Sequence, residues 1–389
     1  LPAVAAATVN GAAAHALNFD DTTAVGAGHL GPVTFPAAFA AAGVRGGVDG
    51  ATLLAGLAAG AELMSRIGLA VTNAQTGYTE SKPQPTQMPG YLAAAVSGAR
   101  VLGLDAHGTH SALGMAFMQA GGGRQPVLEG AQAKAVYAGF SCQGGTLAAL
   151  LAQEGLDGTC EAFEGTAGYF NTYYAGRYDR DALVGGLGER WSLLNLGFKP
   201  WPTTGVAHVF IEAASRVRAA QAVDPGAVTR ITLLGEPHLA TFCEPLDTRR
   251  APRTSVEAED SVPFATAKAL LHGGVRLADV QPGPAGLGEP EAQRLAGLVE
   301  YAVDPAMGKA GEVTVHLADG RVLTERIAIA PGHRDNPLTD AQRAAKFHDC
   351  AAHAGVRVSA ARLDEVTGLV ERLEQVPDVR VLGEHLAGR

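Results

Sequence analysis

Glycine supplies 50 of the 389 residues while Phe, Trp and Tyr together make only 6%, and this ratio constrains the fold more than any single motif. Small residues let helix backbones approach closely, but each contributes little apolar area. Such a chain has to bury itself through many tight helix crossings rather than around a few large side chains. With 47% apolar and 18% charged residues, a disordered, charge-solvated chain is excluded.

Thirty Lys and Arg against 39 Asp and Glu leave a net charge of −9. With no block of like charges, neither nucleic acid nor an anionic membrane surface is an expected partner, and a small molecule is. Cys142, Cys160, Cys243 and Cys350 show no C-x-x-C spacing, which argues against a disulfide framework or a zinc or iron–sulfur cradle and fits a reducing, cytoplasmic setting. The longest apolar stretch, Ala51 to Thr72, carries Glu62 and Arg66 in its middle. Charges there are costly in a bilayer, so it reads as a core helix. Leu1 to Leu17 is apolar but lacks an initiator Met and a basic n-region, and reads as a truncated start rather than a signal peptide.

From Pro32 to about Leu194 the sequence reads as successive helices without alternating strands. Within Ala51 to Thr72, Leu53, Leu54, Leu57, Ala61, Met64 and Ile67 share one face, and Glu62 and Arg66 pair on the opposite side. Pro89 to Leu104, Thr109 to Ala120 and Leu128 to Gly155 repeat the pattern. After Lys199-Pro200-Trp201-Pro202 the texture becomes mixed: a helix over Ala207 to Gln221, a strand over Val228 to Leu234, and a helix over Ser261 to Leu271. Glu312 to His316 and Arg321 to Ile327 alternate around Ala318-Asp319-Gly320, a hairpin signal. Thr339-x-x-Gln342 is a capping box before Ala341 to Cys350, and Ser359 can cap Ala360 to Gln375. The expected fold is mainly α with a smaller α+β domain: an all-helical domain over residues 1–200 and 338–389, and an α+β domain over 201–337.

Gly26-x-Gly28-x-x-Gly31 matches the dinucleotide fingerprint as a string, but the residues before it, Asn18-Phe19-Asp20-Asp21-Thr22-Thr23, are polar rather than a buried strand. A loop around His29 is the better reading. Gly121-Gly122-Gly123-Arg124 lacks a phosphate-loop ending and reads as an interhelix hinge. Asp20, Asp21, Thr22 and His29 within ten residues are able to furnish a proton-transfer site; equally, Asp20 or Asp21 is a helix N-cap and His29 merely packed. The other histidines are dispersed, so no metal site is expected. Lys134 stands in a small, apolar stretch, three residues before Tyr137 and on nearly the same helical face. Such a pair, like Lys199 before Pro200, suits a carboxylate-bearing substrate or is simply a snorkelling cation.

Taken together, these segments resemble the MmgE/PrpD family. The opening Val9-Asn10-Gly11-Ala12-Ala13-Ala14-His15-Ala16-Leu17-Asn18-Phe19-Asp20-Asp21-Thr22, followed by His29, is similar to the family's Asn-Gly, Ala-His and Asp-Phe-Asp-Asp-Thr signature. Lys134-x-x-Tyr137-x-Gly139 resembles its Lys-x-x-His-x-Gly segment. Lys199-Pro200-Trp201-Pro202 with His208 resembles its hinge, Ser261-Val262-Pro263-Phe264 its lid-helix start, and Lys346-Phe347-x-Asp349-Cys350 its C-terminal stretch. Asn18, Gln84, Tyr137 and Phe264 depart from the family pattern, standing where Asp, His, His and Tyr are usual.

The resemblance implies a large helical domain with an α+β lid, further helices ahead of the signature, a homodimer, and catalysis on a di- or tricarboxylate without metal or organic cofactor. It implies a dehydratase-type lyase that removes a proton next to a carboxylate. In that scheme Lys134 and Lys199 hold the developing charge, His29 carries the proton, Asp21 orients His29, and Tyr137 acts as an acid. Asn18, Thr22, Gln84 and His208 fix the substrate. An epimerase or isomerase working through the same carbanion, and a degenerate member that only binds a metabolite, are the alternatives that Asn18, Gln84 and Phe264 leave open.

Overall fold

The computed structural model describes residues 1–23, 28–73, 82–221 and 223–387. Its contacts divide the chain into two compact units, one of Leu1–Ala16, Asp20–Leu196 and Ala354–Arg389, the other of Leu17–Phe19 and Gly197–His353. The fold is mainly α, with a smaller α+β unit.

The first unit is built on helices Ala3–His15, Gly31–Arg45, Gly50–Asn73, Gln87–Leu102, Ala106–Gln119 and Tyr137–Gln153. Gln87–Leu102 lies at the centre, buried on nearly every side and packed by Gly31–Arg45, Gly50–Asn73 and Tyr137–Gln153. Its run Ala93-Ala94-Ala95 and Ser97-Gly98-Ala99 offers neighbours bare backbone. A Cβ added at Gly60 would lie 2.5 Å from the Ala93 carbonyl oxygen, and one at Gly145 would lie 2.4 Å from the Ala94 Cβ. Tight crossings of small residues therefore form this core, as the composition requires. The C-terminal helices Ala360–Glu371 and Arg380–Leu386 belong to the same unit. Backbone bonds from Gly50 to Val376 and from Val379 to Val48, 2.8 and 2.9 Å, tie the C-terminal segment to it.

The expected Glu62–Arg66 pair forms at 2.5 Å, and both residues are buried. Arg66 donates to the carbonyls of Leu183, Gly185, Gly186 and Arg190, while Glu62 accepts the N–H groups of Ser192 and Leu193. The pair is thus a buried clamp on a loop whose backbone groups would otherwise lack partners. The expected helix over Leu128 to Gly155 is broken: Gly130 has φ +66°, a 3₁₀ turn follows over Gln132–Val136, and the α-helix starts at Tyr137. A short strand, Asp21–Thr23, also interrupts the helical half.

The second unit carries a four-stranded sheet: β1 (Val228–Gly235), β2 (Val299–Val303), β3 (Gly311–Leu317) and β4 (Val322–Ile327), in the order β2-β1-β3-β4. β3 and β4 form the expected hairpin, with Gly320 at φ +87° in the turn. β3 buries every second residue, so one face is apolar, and helix His208–Gln221 packs against β3 and β4. Helix Val262–His272 packs against that helix in turn and is capped by Ser261, whose Oγ accepts the Phe264 N–H. The sequence reading missed β2, which pairs parallel to β1 with Ile231 opposite Val299. Helix Asp340–Ala352, assigned above to the helical domain, falls in the second unit. Asp349 there accepts the Leu277 N–H, and Lys346 donates to the Lys199 carbonyl. Its Thr339–Gln342 capping box is present, as is the Ser359 cap of Ala360–Glu371.

Candidate active site

Helix Ala3–His15 crosses helix Tyr137–Gln153 where neither has a side chain to spare. A Cβ at Gly139 would lie 2.5 Å from the Thr8 carbonyl oxygen, and one at Gly11 would lie 2.6 Å from Cys142 Sγ. This approach sets His15, at the end of one helix, against Tyr137, at the start of the other, with ring centroids 4.3 Å apart. Asp20 Oδ2 then lies 2.6 Å from His15 Nδ1 and 3.4 Å from His29 Nδ1, and the two imidazole centroids are 5.1 Å apart. His29 Nδ1 donates to the Asp21 carbonyl oxygen at 2.5 Å, and the His29 N–H donates to Thr86 Oγ1. A carbonyl only accepts, so this bond places the ring proton on Nδ1 and leaves Nε2 with the lone pair, the form of histidine that serves as a base.

Asp21, expected to orient His29 through its side chain, meets the His29 ring through its main-chain oxygen. Its carboxylate accepts the N–H groups of Leu30 and Gly31, each at 2.8 Å, at the start of helix Gly31–Arg45. Capping demand explains the correction, since the first amides of a helix have no partner within it. It also disposes of the dinucleotide string: the helix terminus that would hold a phosphate is taken by an internal carboxylate, and a Cβ at Gly31 would sit 2.4 Å from Asp21 Oδ1. Gly26 of that string lies outside the described residues.

Burial, and secondarily the neighbouring Asp20 charge, pushes the Asp21 carboxyl up to about 6; the two backbone donors only partly offset this. Because the folded value lies above the ordinary one, the stability linked to this group is complete below the ordinary carboxyl range and is lost as pH rises through about 6. In urea titrations the parent should therefore lose stability relative to Asp21→Asn between about pH 4 and pH 7. Asp21→Ala, leaving two buried amides without acceptors, should cost about 1–3 kcal/mol. A pH-independent gap between parent and Asp21→Asn would contradict the assignment.

Lys134 is buried in the 3₁₀ turn Gln132–Val136, which packs against helix Ala3–His15 and runs directly into Tyr137. Thr22 is half-buried in the strand between Asp21 and Thr23. Gln84, expected to fix substrate, turns its Oε1 to the N–H groups of Thr86 and Gln87 at 2.5 and 3.0 Å. That oxygen caps helix Gln87–Leu102 instead, for the same reason as Asp21.

The remaining expected residues form a group in the second unit. Lys199, 2% exposed, donates its ammonium to the Asn18 carbonyl oxygen at 3.1 Å and to Asn18 Oδ1. Asn18 itself holds φ +48°, a left-handed conformation that Asn tolerates better than most residues, and its Nδ2 donates to Asp260 Oδ1. Lys346 donates to the Lys199 carbonyl oxygen at 2.9 Å and lies 4.4 Å from the Phe19 ring centroid. Burial, then the charges of Lys199 and Lys346, lowers His208 to about 3, so it is a neutral imidazole at physiological pH. Its Nε2 is buried with no hydrogen-bond partner among the described residues. Phe264 is fully buried in the apolar core of this unit.

The sequence reading named Asp20 within a possible proton-transfer group but gave it no separate role, and it left out His15, Lys346 and Asp260. Among the described residues, His15, Asp20 and His29 each present a ligand atom within 4.8 Å of the others, a group able to hold a metal. A metal bound through the nitrogens facing Asp20 would have to displace the His15–Asp20 and His29–Asp21 hydrogen bonds, so the donor set is arranged first for protons.

The chain is 28% identical to the cis-aconitate decarboxylase-like protein oryM of Aspergillus oryzae, over 99% of this chain and 82% of that protein. It is 28% identical to human cis-aconitate decarboxylase, over 100% of this chain and 80% of that protein, and 26% identical to the mouse cis-aconitate decarboxylase, over 100% and 79%. Residues 1–180 match the model of the MmgE/PrpD N-terminal domain and residues 201–371 that of the C-terminal domain. The chain therefore belongs to the MmgE/PrpD family.

Proposed function

We propose that this protein is a lyase acting on a di- or tricarboxylate, with His29 moving the proton at a carbon next to a carboxylate and Lys134 holding the negative charge that develops there. The observation that carries the reading is the His29 imidazole, tied through Nδ1 to the Asp21 carbonyl oxygen beside Asp20, which puts the lone pair on Nε2. A carbon acid of this kind is very weak, and a fixed cation aimed at the enediolate oxygens is the effect that lowers its barrier most. The buried Lys134 supplies such a cation. Tyr137, three residues on and against His15, is the second proton carrier.

The similarity to cis-aconitate decarboxylases favours loss of carbon dioxide as the bond-breaking step. The carbon–carbon bond pair stays on carbon as the carboxylate departs as CO₂, and a proton that His29 Nε2 has taken up from solvent passes to that carbon, returning the imidazole to its neutral form. Dehydration, in which His29 takes the carbon-bound proton and Tyr137 gives its own to the departing hydroxyl so that it leaves as water, is the other form of lyase chemistry open to these groups. Proton NMR in deuterated water with a panel of citrate-like and succinate-like acids tests the proposal. Net product with alkene signals is expected. Label uptake without net product would replace the lyase with an isomerase, and tight binding without exchange or turnover would leave only a binding protein.

No metal enters this scheme. Exhaustive chelation followed by dialysis is expected to leave turnover unchanged, and activity that vanished and returned with one particular metal ion would refute it, pointing back to His15, Asp20 and His29.

A further inference from the structure

His208 is 3% exposed at the head of helix His208–Gln221 in the second unit, and its two ring nitrogens meet different surroundings. The ring N–H donates to the main-chain carbonyls of Trp201 and Thr203. Nε2 makes no hydrogen bond among the described residues, so those bonds belong to Nδ1, and Nε2 carries the lone pair. Burial and the charges of Lys199 and Lys346 keep the imidazole neutral. Nε2 is therefore an acceptor and not a second donor. A buried acceptor without a donor is costly, which is why such atoms in folded proteins nearly always have a partner. Around His208, the Trp201 ring lies edge-on with centroids 5.7 Å apart. The Lys199 ammonium donates to the Asn18 carbonyl oxygen at 3.1 Å, and that of Lys346 to the Lys199 carbonyl oxygen at 2.9 Å. One unit thus holds, near an acceptor that needs a donor, two ammonium groups that attract an anion.

We infer that His208 Nε2 accepts a hydrogen bond from the hydroxyl of a hydroxylated carboxylate, whose anionic end is held by the charge of Lys199 and Lys346. The inference rests on the reading of this protein as one that takes di- or tricarboxylates, and within that class it selects acids bearing a hydroxyl. An ionised carboxylate only accepts, so by itself it offers Nε2 nothing; a hydroxyl donates. A site built to pair with a hydroxyl rejects the analogue lacking it, because the site's own buried group is then left without a partner. His208 is thus a specificity-determining residue, and the preference appears in binding, whichever bond the reaction then breaks. An ordered water is the other source of a donor for Nε2. It would serve beside either kind of acid and give no preference.

Citrate and tricarballylate differ by one hydroxyl, as do malate and succinate. Ligand-detected proton NMR gives a dissociation constant for each acid and shows at once whether any is consumed. In the parent, the hydroxylated acid of at least one pair should bind about tenfold more tightly than its analogue. His208→Asn keeps an amide N–H where Nδ1 now donates and removes the Nε2 acceptor. It should bring that ratio close to one by weakening the hydroxylated acid alone, and undiminished binding of the analogue shows that the variant is folded. A second measurement needs no variant: the His208 Nε2 nitrogen resonance of the parent should move with the hydroxylated acid and stay in place with its analogue. Equal affinities within both pairs, no binding of either hydroxylated acid, an unmoved Nε2 resonance, or a preference that survives in His208→Asn would each overturn the inference. The lyase reading fails on a different result, a hydroxyl preference with no acid turned over. Product formed while both pairs bind alike removes only the role of His208.

Discussion

His29→Asn is expected to lower kcat by about 10³-fold while the protein stays folded, the loss typical of a removed general acid–base. The asparagine amide keeps a donor for the Asp21 carbonyl oxygen, which His29 Nδ1 now serves. What disappears is a nitrogen able to take up and release a proton near pH 7. Deuterium uptake into substrate should fall in parallel with product formation, since both require the same transfer. A smaller replacement, His29→Gly, should recover part of the rate when imidazole is added to the buffer. Turnover within tenfold of the parent would remove His29 from the mechanism.

Lys134→Ala is expected to lower turnover by about 10²-fold or more, the effect of deleting a preorganised charge. Lys134 is buried on a 3₁₀ turn, so its ammonium is held in place and does not have to be gathered from solvent at each turnover. Lys134→Met, which keeps the length of the stem, separates charge from packing: both variants should be equally slow, while Met should melt closer to the parent. If Met were active and Ala inactive, the role of Lys134 would be packing and not charge. Because a carboxylate substrate also loses its counter-cation, KM should rise together with the fall in kcat.

Local features were legible in the sequence because they depend on near neighbours in the chain. The Thr339–Gln342 box, the Ser359 cap and the Gly320 turn form where side chains a few residues apart reach unpaired amides, or where positive φ is required. The bias to small residues correctly announced close helix crossings. β2 escaped notice because its parallel partner β1 lies far away in sequence and no turn connects them. Lys346 and Asp260 escaped because their partners, Lys199 and Asn18, are equally remote.

The acidic pair shows the division most clearly. Sequence alone determined that two carboxylates and an imidazole lie within ten residues, and that one carboxylate was suited to cap a helix. Asp20 and Asp21 are chemically identical neighbours, and side chains of successive residues in an extended segment point to opposite sides. Only the tertiary structure decided which faces the imidazoles and which caps helix Gly31–Arg45. That choice follows from the crossing at Gly11 and Gly139, which sets His15 beside Asp20 and leaves Asp21 to the amides of Leu30 and Gly31. Residue types set which protons can move, and the packing of helices distant in sequence selects the groups between which they move.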